Sequence, residues 1–110
     1  MNLLNSIIVE GNLTADPVIT EVDGLLTCEF TIKSSRIYKG INKEEKEDVY
    51  YFPIRSFGRL AKSIGQYLVK DRGIRVVGRL FQEQKDLSYH YPAIFIIGEH
   101  VEFKPMLMKN

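Results

Sequence analysis

The side chains best suited to chemistry in this sequence sit at alternate positions of the segment Glu47–Lys62. Read with the two-residue period of a strand, Tyr51, Arg55 and Phe57 share one face, and Tyr50, Phe52 and Ile54 share the other. Rings that bracket a guanidinium are unusual on a strand face turned to water. They suit a ligand that is flat and negatively charged, as single-stranded nucleic acid is: bases stack on rings and phosphates meet cations. The combination returns at Gly73–Phe81, where Arg75, Val77, Arg79 and Phe81 oppose Ile74, Val76, Gly78 and Leu80. Tyr38, between Arg36 and Lys39, is a third ring among cations, and Lys33 and Arg59 extend the basic set. The same residues also admit a structural role. A strand covered on both sides would bury Tyr51 and Phe57, and a loop tyrosine such as Tyr38 can be a local packing anchor.

Covalent chemistry finds little support. His90 and His100 stand ten residues apart on one predicted strand, and no Cys/His/Asp group has metal-ligand spacing. A glycine-rich phosphate loop and a nucleophile elbow are both missing. Cys28 falls on the inward side of an alternating strand, the place of a small core residue. The expectation is a binding protein with no catalytic residues, no metal and no cofactor.

The elements that must position these residues read as follows. Ser6–Leu13 is a β-rich strand interrupted by Gly11, which suits a bulge or sharp bend, and Asp16-Pro17 marks a turn. Val18–Val22 and Leu26–Arg36 are strands joined at Asp23-Gly24, a strong hairpin signal. In the second of these Leu26, Cys28, Phe30 and Ile32 point inward, and Thr27, Glu29, Thr31 and Lys33 outward. Ser34–Asp48 loses the alternation and is predicted to be a long mobile loop. Leu60, Ala61, Ile64 and Leu68 give Gly58–Lys70 a helical period, with Gly73 as the stop signal. Gln82–Ser88 is turn-like. Tyr89–Phe103 closes the order as a strand whose centre, Ile94–Ile97, is apolar on both faces; a second copy of the chain could supply the missing cover.

At 110 residues the chain fits one domain, assigned to 1–104 with a short extension at 105–110. Its 45% apolar and 26% charged content is that of an ordinary soluble domain. The N-terminus lacks the basic and apolar regions of a signal peptide, and no apolar run is long enough to span a membrane. With a single cysteine, a cytoplasmic setting is expected. The net charge of +1 conceals an asymmetry: residues 1–32 carry five acidic and no basic side chains, whereas residues 33–79 carry twelve basic against five acidic. A basic middle within a neutral whole is the footprint of a face that tracks phosphates.

Strands interrupted by one helix, between the third and fourth strands of a barrel, make an all-β, five-stranded Greek-key barrel of the oligonucleotide/oligosaccharide-binding (OB) type. A β-sandwich is the next choice, but it would not need that helix. The segments Asn5–Leu13 with Asp16-Pro17, Phe57–Ala61 with Tyr67-Leu68 and Gly73, and Val76–Leu80 resemble the bacterial single-stranded DNA-binding proteins (SSB) in order and nearly in spacing. The resemblance covers roughly residues 5–103.

The resemblance implies binding of single-stranded DNA with little sequence preference, in replication, recombination and repair. It also implies a homotetramer, with a dimer next. It puts Tyr51 at a base-stacking tryptophan position, Phe57 at a stacking phenylalanine, and Tyr38 within one residue of another such tryptophan. A further family aromatic aligns with Lys85, leaving Phe81 to serve instead. The DNA-contacting set implied by residues and resemblance together is Lys33, Arg36, Tyr38, Tyr51, Arg55, Phe57, Arg59, Arg75, Arg79 and Phe81. The sequence departs from the family in having no tryptophan, no Gly/Pro/Gln-rich linker and no acidic tail, so tail-mediated recruitment of enzymes is not expected of it. Its length resembles the dimeric primosomal replication proteins of the PriB type. A barrel that binds protein or carbohydrate through the same aromatics is the remaining alternative.

Overall fold

Asp23 (φ 52°) and Gly24 (φ 80°) both adopt left-handed backbone, the requirement of the tight turn whose twist matches the strands on either side. They join β2 (Val18–Val22) to β3 (Leu25–Lys39), and the predicted hairpin is present with Val22 paired to Leu25. The computed structural model describes residues 2–83 and 93–104. Its other elements are β1 (Ile7–Leu13), β4 (Glu45–Phe57), α1 (Gly58–Tyr67), β5 (Gly73–Glu83) and β6 (Ala93–Phe103).

The strands form one sheet in the order β1-β5-β6-β4-β3-β2, and pairing of β1 with β3 closes it. Five strands make the barrel, and β2 hangs on the outer edge of β3. The β4–β6 pairing, Ile54 with Ile96 and Arg55 with Ile97, is parallel; the others are antiparallel. In chain order the barrel strands are β1, β3, β4, β5 and β6, and α1 follows the third of them and precedes the fourth, the order of the OB fold. The core is the inward half of each alternation: Leu13, Cys28, Phe30, Ile32, Ile54, Ile74, Val76 and Ile96. Ala61, Ile64 and Leu68 add to it from α1 and the residue after it. Burial pushes the Cys28 thiol up to about 11, with the Glu29 charge acting in the same direction. It is a core side chain.

Four sequence expectations are corrected. Ser34–Asp48 is largely strand: β3 and β4 run on as a two-stranded arm paired from Ser34–Tyr50 to Lys39–Glu45. Its turn is closed by Gly40 N–H to Glu44 O (2.8 Å) and Lys43 N–H to Gly40 O (3.0 Å). Neither side of the arm is buried in the core, so no apolar alternation marked it. The helix stops at Tyr67, because Leu68 leaves helical geometry (φ −104°, ψ 141°) to bury its side chain; Gly73 plays no part in that stop. Of the two roles open to Gly11, the structure has no bulge there. There β1 passes from β5 to β3, and a Cβ would collide with the Lys33 carbonyl oxygen. The ladder irregularity lies between Val77 and Gly78 instead. Finally, the outer side of β6 is covered within the chain. Phe95 is 6% and Ile97 8% exposed, with Phe81 and Arg55 packed on Phe95. Residues 84–92, which include Lys85 and His90, and the extension 105–110 lie outside the described residues.

Candidate nucleic-acid interface

Cross-strand partners share a face, so the register of β3 and β4 sets the composition of the barrel's outer surface. Lys33 stands beside Tyr51, Glu29 beside Arg55 and Thr27 beside Phe57. Alternation turns Phe52, Ile54 and Ser56 inward; Ile54 is 1% exposed, and the Ser56 hydroxyl donates to Gly98 O at 3.2 Å. The opposite parity leaves Tyr51 60% and Phe57 37% exposed, which removes the reading that buries both rings in the core. On β5 the same logic buries Ile74 and Val76 and leaves Phe81 38% exposed. Rows run across β4, β6 and β5, with Arg55, Ile97 and Arg79 in one and Phe95 beside Phe81 in the next. Tyr51, Arg55, Phe57, Arg79, Phe81 and Lys33 therefore share one outer face.

The remaining candidates are not all on that surface. Arg36 and Tyr38 have the opposite parity, on the other side of the arm, with the Arg36 guanidinium 5.1 Å from the Tyr38 ring centre. The Tyr38 hydroxyl donates to Asp48 at 3.4 Å, and that of Tyr50 to the other oxygen of the same carboxylate at 3.2 Å. This bond holds the Tyr50 phenol above its ordinary pKa. Arg59 is exposed in the first turn of α1, directly after Phe57. Arg75 lies four residues from Arg79, about 13 Å along the strand. It is bracketed by Glu10 on β1 (3.5 Å) and Glu102 on β6 (3.3 Å). Lys104 also pairs with Glu10 and, ahead of Arg75, holds that carboxyl below its usual pKa.

The cations fall into two groups. Among the described residues Lys33, Arg36 and Arg59 have no carboxylate within ion-pair distance. Arg55 has two, Glu29 at 3.5 Å and Glu83 at 3.2 Å, and Arg79 has Glu99 at 3.7 Å. Arg55 also lies over the Phe95 ring, 4.0 Å from its centre, and Phe95 meets Phe81 at 5.1 Å. Phe95, Glu29 and Glu83 were missing from the sequence-derived set. The pairing of β5 with β6 brings Phe95 beside Phe81, and only that pairing could have found it. No group of three or more His, Cys, Asp or Glu side chains among the described residues could hold a metal ion.

The chain is similar to known proteins in sequence and in fold. A profile described as the single-strand binding protein family matches residues 4–90. The chain is 34% identical over 101 residues to the single-stranded DNA-binding protein of Aquifex aeolicus, covering 90% of this chain and 69% of that protein. It is 30% identical over 105 residues to single-stranded DNA-binding protein 2 of Clostridium acetobutylicum, covering 91% and 76% respectively. The solved Plasmodium falciparum SSB complex with ssDNA shares the fold, with a TM-score of 0.84 at 20% identity over 96% of this chain and 98% of that one. With the barrel, the position of its helix and these matches over most of its length, this chain belongs to the single-strand binding protein family.

Proposed function

We propose that this protein binds single-stranded DNA without marked sequence preference, as a stoichiometric coat in replication, recombination and repair and not as a catalyst. The observation that carries the reading is the outer face on which Tyr51, Phe57 and Phe81 stand exposed beside cationic groups. Bases stack on these three rings, each stack contributing about 1–3 kcal/mol, and every base has the π-face this requires. Phosphates meet Lys33, Arg55, Arg59 and Arg79. Arg36 and Tyr38 engage a strand that wraps the edge of the arm to reach its other side. Arg75 is placed last among the contacts, because Glu10 and Glu102 already neutralise it.

The protein acts as an oligomer in this reading, a homotetramer first and a dimer second. Support comes from β1. Among the described residues Ile7–Gly11 pair with β5 on one side only, and Ile8 is 66% exposed, so a second copy can add to that edge. The binding domain is residues 1–104. The setting is cytoplasmic, at the nucleoid; no helix of the described residues is long and apolar enough to cross a membrane.

Tyrosine fluorescence titrated with dT oligomers, duplex DNA and RNA tests the reading. Saturation by the single DNA strand at lower concentration than by duplex is expected, with affinity falling in salt by about 0.7 log units per log unit of salt for each phosphate neutralised. No response to any nucleic acid contradicts it and favours a barrel that binds protein or carbohydrate.

A further inference from the structure

We propose that Glu83 is an intramolecular stand-in for a DNA phosphate at Arg55, so that the strand reaches this guanidinium only by displacing a carboxylate of the protein itself. The proposal rests on the single-strand-binding reading and adds an acidic latch to it. A guanidinium presents its N–H donors in a planar fork that fits carboxylate and phosphate alike. In Arg55 one broad side is occupied by Phe95, 4.0 Å from the ring centre. The fork is held by Glu83, which accepts from Nη1 at 3.2 Å, and by Glu29, 3.5 Å from Nε. These carboxylates come from β3 and β5; around the barrel β4, which carries Arg55, adjoins β3 and is separated from β5 by β6. The Glu83 side chain is only 20% exposed, so its pairing is shielded from solvent better than that of Glu29, at 53%.

Two consequences distinguish the latch from a passive ion pair. When a phosphate takes the fork, Glu83 gives up that contact and stays nearby as a like charge, so Arg55 adds less to affinity than an unpaired cation would. Because Arg55 is already neutralised, it also adds less to the salt dependence. Removing the Glu83 charge should restore both.

The test is a salt series of dT-oligomer titrations on the wild type, Glu83→Gln, Arg55→Ala and the double variant. Glu83→Gln keeps a hydrogen-bond acceptor for Arg55 and is expected to bind about two- to fivefold tighter, the range set by a partly exposed ion pair. Its salt dependence should steepen by a part of the roughly 0.7 that one further phosphate contributes, because Glu29 stays on Nε. The gain should disappear in the Arg55→Ala background. Glu29→Gln should move both readouts in the same direction and serves if Glu83→Gln does not fold. Unchanged or weaker binding by folded Glu83→Gln, or an equal gain without Arg55, overturns the latch while leaving the single-strand reading intact. A wild type that binds no dT oligomer overturns that reading, and the latch with it.

Discussion

At the scale of single residues, the division between paired and unpaired cations gives a prediction that a count of basic residues would not. Arg36→Ala and Arg59→Ala should each lower the slope of log affinity against log salt by about 0.7, because each frees one phosphate to keep its counterions. Arg75→Ala should leave that slope nearly unchanged, since Glu10 and Glu102 already bracket its guanidinium. Titrations at several salt concentrations decide between them. The same cluster shapes the acid limit of stability. Lys104, and after it Arg75, keep the Glu10 carboxyl below its ordinary pKa in the folded protein. The unfolded chain therefore binds the proton more readily in acid. The stabilisation is complete above the unfolded pKa, about 4.3, and is lost as pH falls through the lower folded value. Glu10→Gln should flatten this acid limb in denaturant midpoints measured from pH 6 down to about pH 3. For Cys28, a fully buried thiol pushed up to about 11 should resist alkylation in the native state at pH 8 and react only on unfolding.

At the scale of elements, what the sequence disclosed depended on whether one face of an element met the core. Leu26, Cys28, Phe30 and Ile32 alternate against Thr27, Glu29, Thr31 and Lys33 because the barrel lies on one side of β3, and this pattern was readable. Beyond Ser34 the same strand leaves the barrel. Ile37 and Val49 are exposed, there is no core to impose a period, and an ordered arm looks like a loop. The end of α1 was hidden for a related reason. Leu68 continues the helical spacing of Ile64, yet it is buried from an extended backbone, and spacing alone cannot distinguish the two routes. Close backbone approach is equally invisible in sequence. A Cβ on Gly78 would run into the Ile97 carbonyl oxygen of β6, at the ladder irregularity. Gly78→Ala should therefore cost about 1–3 kcal/mol, read from urea midpoints, although alanine is ordinarily as acceptable in a strand as glycine. The arm supplies a functional prediction as well. Because Tyr38 and Tyr51 lie on opposite sides of it, Tyr38→Ala should weaken the binding of long dT oligomers that can wrap the arm more than that of short ones confined to the outer face.

At the scale of the whole molecule, the barrel was legible because its signals are local and independent: the Asp23-Gly24 turn, one helix at the expected place, and strands of opposite parity. The candidate site was legible in its residue types and less so in its geometry. Tyr51, Arg55, Phe57, Arg79 and Phe81 were readable as a set because two strands repeat the same alternation. That Arg36 and Tyr38 lie across the arm, that Phe95 supports Arg55, and that Glu83 and Glu29 occupy its fork all depend on which strands are neighbours. No single strand carries that information. Assembly belongs to this scale too. Ile8→Lys on the β1 edge should reduce the mass measured by light scattering while leaving the fold of the single chain intact by circular dichroism, because Ile8 is exposed in the single chain. The central claim is that outward-facing rings hold the strand, and Tyr51→Ala/Phe57→Ala tests it most directly by equilibrium titration with poly-dT. A folded double variant that binds at least tenfold more weakly than wild type, as the loss of two stacks requires, is the expected result; unchanged affinity in that folded variant would contradict it.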